Sequence, residues 1–172
     1  MSARVEYRSA PEIRASGRRL EGYAATFGKP AQIGPVRETI APGAFQRSLA
    51  ANTDILALLD HDDKSVLGRT KSGTLRLSED TIGLAFSLDV PDTRAGNDVL
   101  TLAQRGDLGG MSFGFLVPEG GDEWNGLNRH LRAVDLKEIS IVSAWPAYEG
   151  TSVALRKAAP RLALAKRWMQ TL

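Results

Sequence analysis

Leu108–Pro118, LGGMSFGFLVP, alternates in a way that sets the architecture of the whole chain. By the two-residue repeat of a strand, Met111, Phe113, Phe115 and Val117 share one face, and Ser112, Gly114 and Leu116 share the other. The first face is bulky and apolar, which predicts a strand anchored in a core. The second carries a hydroxyl with little side-chain bulk beside it, so an extended polypeptide can approach closely. Such a place suits a nucleophile. It equally suits an ordinary strand serine at a sheet edge, which is the commoner role of the residue type. Ser112 acquires meaning only through partners.

Outward from this strand, Arg94–Arg105 reads as a helix, with Asp92 or Thr93 to cap its start, Gly106 to end it, and Val99, Leu102 and Ala103 at helical spacing. Before it, TLRLSEDTIGLAFSLDVP predicts a hairpin, with Leu75 and Leu77 alternating ahead of a turn and Leu84, Phe86, Leu88 and Val90 after it. DILALLDHDD holds an apolar run, Ile55–Leu59, that predicts a buried strand ending in charges. APGAFQRSLAAN predicts a short helix, with Pro42 near its first turn and Asn52 near its end. GYAATFGKPAQIGPVRETI mixes strand-like residues with Gly and Pro as loops around a barrel do, and residues 1–20 predict a first strand or a loose arm. After the Ser112 strand come a Gly-rich connection, EGGDEWNG, and a strand pair, LNRHLRAV with LKEISIVSAW. Many strands with two or three helices point to a β-barrel or sandwich with peripheral helices.

At 172 residues the chain is long enough for one domain with a real core. Its 42% hydrophobic and 24% charged residues exclude wholesale disorder. No apolar run approaches the ~20 residues of a membrane span, and MSARVEYRSAPEIR lacks the apolar core of a signal peptide. Without cysteine, disulfide scaffolds, Cys nucleophiles and thiolate metal sites are excluded, and two histidines argue against a His-rich metal site. The net charge of +2 conceals an asymmetry. Arg156, Lys157, Arg161, Lys166 and Arg167 lie in a tail with no acid, and without them the rest of the chain stands at about −3. If helical, that tail gathers Leu162, Ala165, Trp168 and Met169 on one side.

A serine nucleophile needs a base to take its proton and a third group to orient that base. His61 is the candidate base, in a neighbourhood of Asp60, Asp62 and Asp63 that favours an imidazolium. Glu138 lies in a strand with largely apolar neighbours, where a buried carboxylate calls for a partner such as that imidazolium. Asp135 and His130 compete for the third place; His130 is flanked by Arg129 and Arg132, which disfavour another positive charge.

The ordered blocks LLDHDD, LGRT, SGTLRLSEDTIGL, RGDLGGMSFGF and LKEISIVSAWPAYEGTSV resemble the tailed-phage prohead maturation proteases, serine peptidases distantly related to the herpesvirus assemblins. The resemblance runs from Gly22 to Val153, most of the chain. It implies an assemblin-like fold: mixed α/β and β-rich, a mostly antiparallel β-barrel core with peripheral helices. The family's histidine falls on His61, its nucleophile on Ser112 and its acidic third member on Glu138; by the herpesvirus pattern, His130 takes the third place instead. Where an Asn-His-Asp type sequence is expected, the chain has Asp60, a departure that removes no catalytic group. Gly109 and Gly110 supply backbone freedom just before the nucleophile.

The resemblance divides the chain into a protease domain, residues 1–155, and a basic amphipathic tail, residues 156–172. It implies a serine endopeptidase acting in the host cytoplasm inside the immature capsid, or prohead. The substrate is scaffold, or the scaffold-like part of the major capsid protein, together with the protease itself. No cofactor, metal or membrane is implied, nucleic acid is not expected as a partner, and a homodimer or higher oligomer is left open. The rival from another class is a catalytically inactive capsid-assembly scaffold or interaction module, and a second rival, a nucleic-acid-binding domain, rests on the tail alone.

Overall fold

The computed structural model describes residues 5–10 and 12–144; the basic segment 156–172 lies outside them. In chain order the elements are β1 (Glu6–Ala10), β2 (Glu12–Ser16), β3 (Arg19–Thr26), β4 (Ala31–Ile33), β5 (Val36–Ile40), α1 (Gln46–Ala50), β6 (Leu56–Leu59) and β7 (Asp62–Arg69). There follow β8 (Leu75–Glu79), β9 (Gly83–Asp89), α2 (Arg94–Arg105), β10 (Gly110–Leu116), β11 (Asp122–Asn125), β12 (Asn128–Leu131) and β13 (Asp135–Val142). The protein is β-rich with few helices, as the alternation predicts. The strands form three sheets, ordered β1-β10-β13-β6-β7, β11-β12-β5-β4 and β2-β3-β9-β8. Among the described residues these sheets do not close into one ring. Most pairings are antiparallel; β13 with β6 and β12 with β5 run parallel.

β10 lies inside the five-stranded sheet, between β1 and β13, so the Ser112 strand is not an edge. Met111, Phe113 and Phe115 are fully buried in the core. Phe113 stacks on Phe115 at 5.2 Å and meets Phe45 edge-on at 5.6 Å between ring centroids. Each such ring contributes about 1.5–3 kcal/mol through burial. Phe45 leads into α1, which Ser48 pins to the start of β13: its hydroxyl donates to Val134 O at 2.6 Å and accepts from Leu136 N at 2.8 Å.

α2 has the predicted bounds. Thr93 caps it through a hydrogen bond from Gly96 N at 3.2 Å, and Gly106, at φ 73°, ends it in the left-handed region. Its buried face is Gly96, Val99 and Leu100, rather than Val99 with Leu102 and Ala103, which are half-buried. Gly96 lies so close to the Pro91 carbonyl that a Cβ there would clash, which puts the Gly96 side of the helix against the body of the protein.

Three local expectations are corrected. The stretch around residues 31–40 is a hairpin, β4 with β5, turned at Gly34–Pro35 and not a run of loops. EGGDEWNG contains β11, which pairs with β12 across a two-residue turn at Gly126–Leu127. β12 and β13 do not pair with each other, because the link between them leaves one sheet before the next begins. Arg132 N and Ala133 N donate to Gly121 O, and Val134 N donates to Ala44 O.

The second sheet is tied to β1 by buried Arg129, which bonds Glu6 at 2.6 Å, Asp122 at 2.8 Å and Glu38 at 3.2 Å and lies over the Trp124 ring. Burial opposes its charge, but these carboxylates, Glu6 foremost, hold its pKa above the ordinary value. No helix among the described residues is long and apolar enough to cross a membrane.

Candidate active site

One irregularity decides which way Glu138 points. In the β10–β13 pair, Gly114 is opposite Glu138 but Phe115 is opposite Leu136, so Lys137 is an extra residue in a β-bulge. In a regular strand Leu136 and Glu138 would share a face. The bulge lets Leu136 enter the core with Ile139 and Ile141, while Glu138 and Ser140 turn to the other face. Ser112 is opposite Ser140 in register and therefore lies on that same face. Gly114, having no side chain, leaves room for the carboxylate opposite it.

His61 reaches this face from β6, on the far side of β13. Leu59 pairs with Asp62, so Asp60 and His61 form a two-residue hairpin turn, with φ of 51° and 61°. Positive φ at both central residues is the signature of a type I′ turn, whose twist matches the flanking strands. The imidazole Nδ1 lies 2.8 Å from Glu138 Oε1. The other carboxylate oxygen, Oε2, accepts a short hydrogen bond from the Ser140 hydroxyl. Glu138 is 6% exposed and its neighbour Ser140 fully buried, so the Ser140 bond is formed away from bulk water, while the His61 bond lies at the half-buried edge of the sheet face. When the carboxylate is ionised it can only accept, so a neutral ring in this arrangement carries its proton on Nδ1 and its lone pair on Nε2. That is the tautomer a general base requires.

The aspartates beside His61 are occupied elsewhere. Asp62 accepts from Lys64 N and from the Ser65 hydroxyl, in that order of effect, and these bonds hold its pKa below the ordinary value. Asp60 bonds to Ser143. The carboxylate that meets the ring comes from 77 residues downstream. Of the competing third members, Asp135 pairs with Arg47 at 3.4 Å, and His130 lies in the second sheet with Nδ1 2.6 Å from the Thr39 hydroxyl.

Ser112 is only 3% exposed, and among the described residues its hydroxyl makes no hydrogen bond. β1 and β13 occupy both backbone edges of its strand. A peptide must therefore meet Ser112 across the face of the sheet; it cannot add beside β10 as a further strand. Two surface hollows of about 320 and 240 Å³ lie elsewhere, one around Arg18, Arg19 and Asp89 and the other around Arg37, Thr39 and His130. The candidate site rests on the His61–Glu138 geometry and not on either concavity.

Just before β10, Gly109 N donates to Val142 O at 2.8 Å, so that amide is taken up by the end of β13. A Cβ on Gly109 would lie 1.6 Å from Ala144 O. Gly109→Ala should therefore destabilise the fold by about 3 kcal/mol, since the obstacle is backbone and not a movable side chain. Denaturant unfolding measures this, and an unchanged midpoint would refute the close approach.

Comparison with protein families matches residues 5–163 to the model described as caudovirus prohead serine protease. Comparisons with curated proteins and with solved structures give no match.

Proposed function

Since the chain belongs to the caudovirus prohead serine protease family, we propose that it is a serine endopeptidase that cleaves scaffold, or the scaffold-like part of the major capsid protein, and itself. The family is one of capsid maturation, and the proposed place of action is the interior of the immature capsid in the host cytoplasm. Ser112 attacks the scissile carbonyl; His61 takes its proton and later donates it to the leaving amine; Glu138 orients His61 and stabilises its imidazolium. The observation that carries this reading is the His61–Glu138 hydrogen bond of 2.8 Å, on the sheet face that also holds Ser112. A carboxylate held in place by Ser140 and presented to an imidazole of the correct tautomer is the supporting half of a serine-protease triad.

The test is co-expression with the neighbouring capsid gene, followed by mass spectrometry of the N-termini produced. A single new N-terminus on the capsid protein is expected. An inactive assembly module would leave every N-terminus intact and would also fail to react with a fluorophosphonate.

The basic segment 156–172 has a proposed role of its own. The family match ends inside it, at residue 163. A protease confined to a closing shell needs a local address, and five cations against a mildly acidic remainder suit an acidic scaffold surface. Deleting residues 156–172 should leave fluorophosphonate labelling within about two-fold of wild type while lowering protease copies per prohead by about ten-fold, one decade being about 1.4 kcal/mol of contact. Loss of labelling through unfolding would instead make the segment part of the core.

A further inference from the structure

We propose that Asp60 and Ser143 are positioning residues that clip the His61 turn to the end of β13, an inference that rests on His61 being the base of the reaction above. Among the described residues only Asn52, Asp60 and His61 take positive φ without being glycine. A type I′ turn favours Asn-Gly or Asp-Gly, with glycine in the second place. Here that place is filled by histidine, which enters the left-handed region more readily than most side chains but at a steric cost that glycine does not bear. Strain of this kind persists only where the surroundings over-determine it.

The surroundings are the last residues of β13 and Ser143 just beyond them. Asp60 N donates to Ile141 O at 2.9 Å. The Asp60 carboxylate accepts from Ser143 N at 2.9 Å through Oδ1, and from the Ser143 hydroxyl through Oδ2 in a short bond. Asp60 is thus held at one point by β13, the strand that carries Glu138, and at two by Ser143 directly after it. The base and the carboxylate that orients it are mounted on one frame, the first through Asp60 and the second directly. The nucleophile strand is fixed to the same frame, because Gly109 bonds Val142 and packs on Ala144. A shift of this segment moves the histidine turn and the start of β10 together.

The clip has a readout that a purely structural bond would not move. Purified full-length protein and the variants Asp60→Gly, Asp60→Asn and Ser143→Ala are compared for the rate of fluorophosphonate labelling at Ser112 and for the thermal midpoint. Glycine keeps the turn conformation but removes the carboxylate, so Asp60→Gly should label about 10–100-fold more slowly, as expected for a misplaced catalytic group. Its midpoint should stay within a few degrees of wild type. Asparagine tolerates positive φ and retains an oxygen for Ser143 N, so Asp60→Asn should recover to within about three-fold. Ser143→Ala, which removes one arm only, should slow labelling by about 3–10-fold and remains informative if Asp60→Gly fails to fold. Wild-type rates in Asp60→Gly or Ser143→Ala would overturn the clip, as would an Asp60→Asn protein as slow as Asp60→Gly, because charge and not anchoring would then be the cause. A separate control protects the inference from failure of its premise: if a folded His61→Asn protein labels as fast as wild type, His61 is not the base and the protease assignment itself is at fault.

Discussion

Ser112→Ala, co-expressed with the capsid gene, should give no processed capsid N-terminus, with turnover reduced by about 10⁶-fold, the size of loss seen when a serine-protease nucleophile is removed. The fold should survive. Among the described residues the Ser112 hydroxyl has no hydrogen-bond partner, so alanine orphans no buried group, and the strand is held by Met111, Phe113 and Phe115 on its other face. Loss of activity with an unchanged melting curve is therefore the expected pair of results. Substantial cleavage by folded Ser112→Ala protein would sink the nucleophile assignment. His61→Asn should be about as damaging, and is a cleaner test than alanine because asparagine accepts the left-handed backbone at φ 61°. Residues that act as a unit are not additive, so the double variant should be no slower than either single one.

How much of this could be read from the chain depends on how local each determinant is. The helix Arg94–Arg105 was legible because its cap, its periodicity and its terminating glycine all lie within a few residues. The Ser112 strand was legible because period-two alternation needs no partner. The hairpins at Gly34–Pro35 and Gly126–Leu127 carried turn residues that were read as loop punctuation, since brief strands alternate over too few positions to stand out. The orientation of Glu138 was not legible at all. It depends on a bulge at Lys137, and a bulge is a property of register against β10, more than twenty residues away in sequence. Read as a regular strand, DLKEISIV puts Glu138 on the face of Leu136 and opposite Ile139 and Ile141, so the apolar residues point to both faces and leave its side undecided. Nor did DHD signal a type I′ turn, because the glycine that usually marks one is replaced by the histidine itself. Acidic neighbours in sequence suggested partners for His61, yet each of Asp60 and Asp62 bonds elsewhere, and the ring is met by a residue from another strand. Proximity along the chain was a poor guide to proximity in the site.

Glu138→Gln separates Glu138 from His130 as third member and should lower turnover by about 10²–10⁴-fold, less than removal of the nucleophile, because the orienting group acts only through the base. The expected size follows from the hydrogen bonds of the carboxylate. Its two oxygens accept from His61 Nδ1 and from the Ser140 hydroxyl. Glutamine offers one oxygen and one NH₂. If the NH₂ faces His61, Nδ1 must accept, the ring proton moves to Nε2, and the lone pair needed by Ser112 is lost. If the oxygen faces His61, the tautomer survives, because the Ser140 hydroxyl can turn from donor to acceptor. Only the negative charge that stabilises the imidazolium is then missing. The two orientations set the two ends of the range, and Ser140→Ala in the glutamine background discriminates them. Removing the hydroxyl takes away the acceptor for an NH₂ turned toward Ser140, so activity should fall further if the second orientation is the one adopted. His130→Ala, which among the described residues disturbs only the bond to Thr39 on another sheet, should process at the wild-type rate. The reverse pattern, inactive His130→Ala with near-normal Glu138→Gln, would establish the herpesvirus-like triad in place of this one.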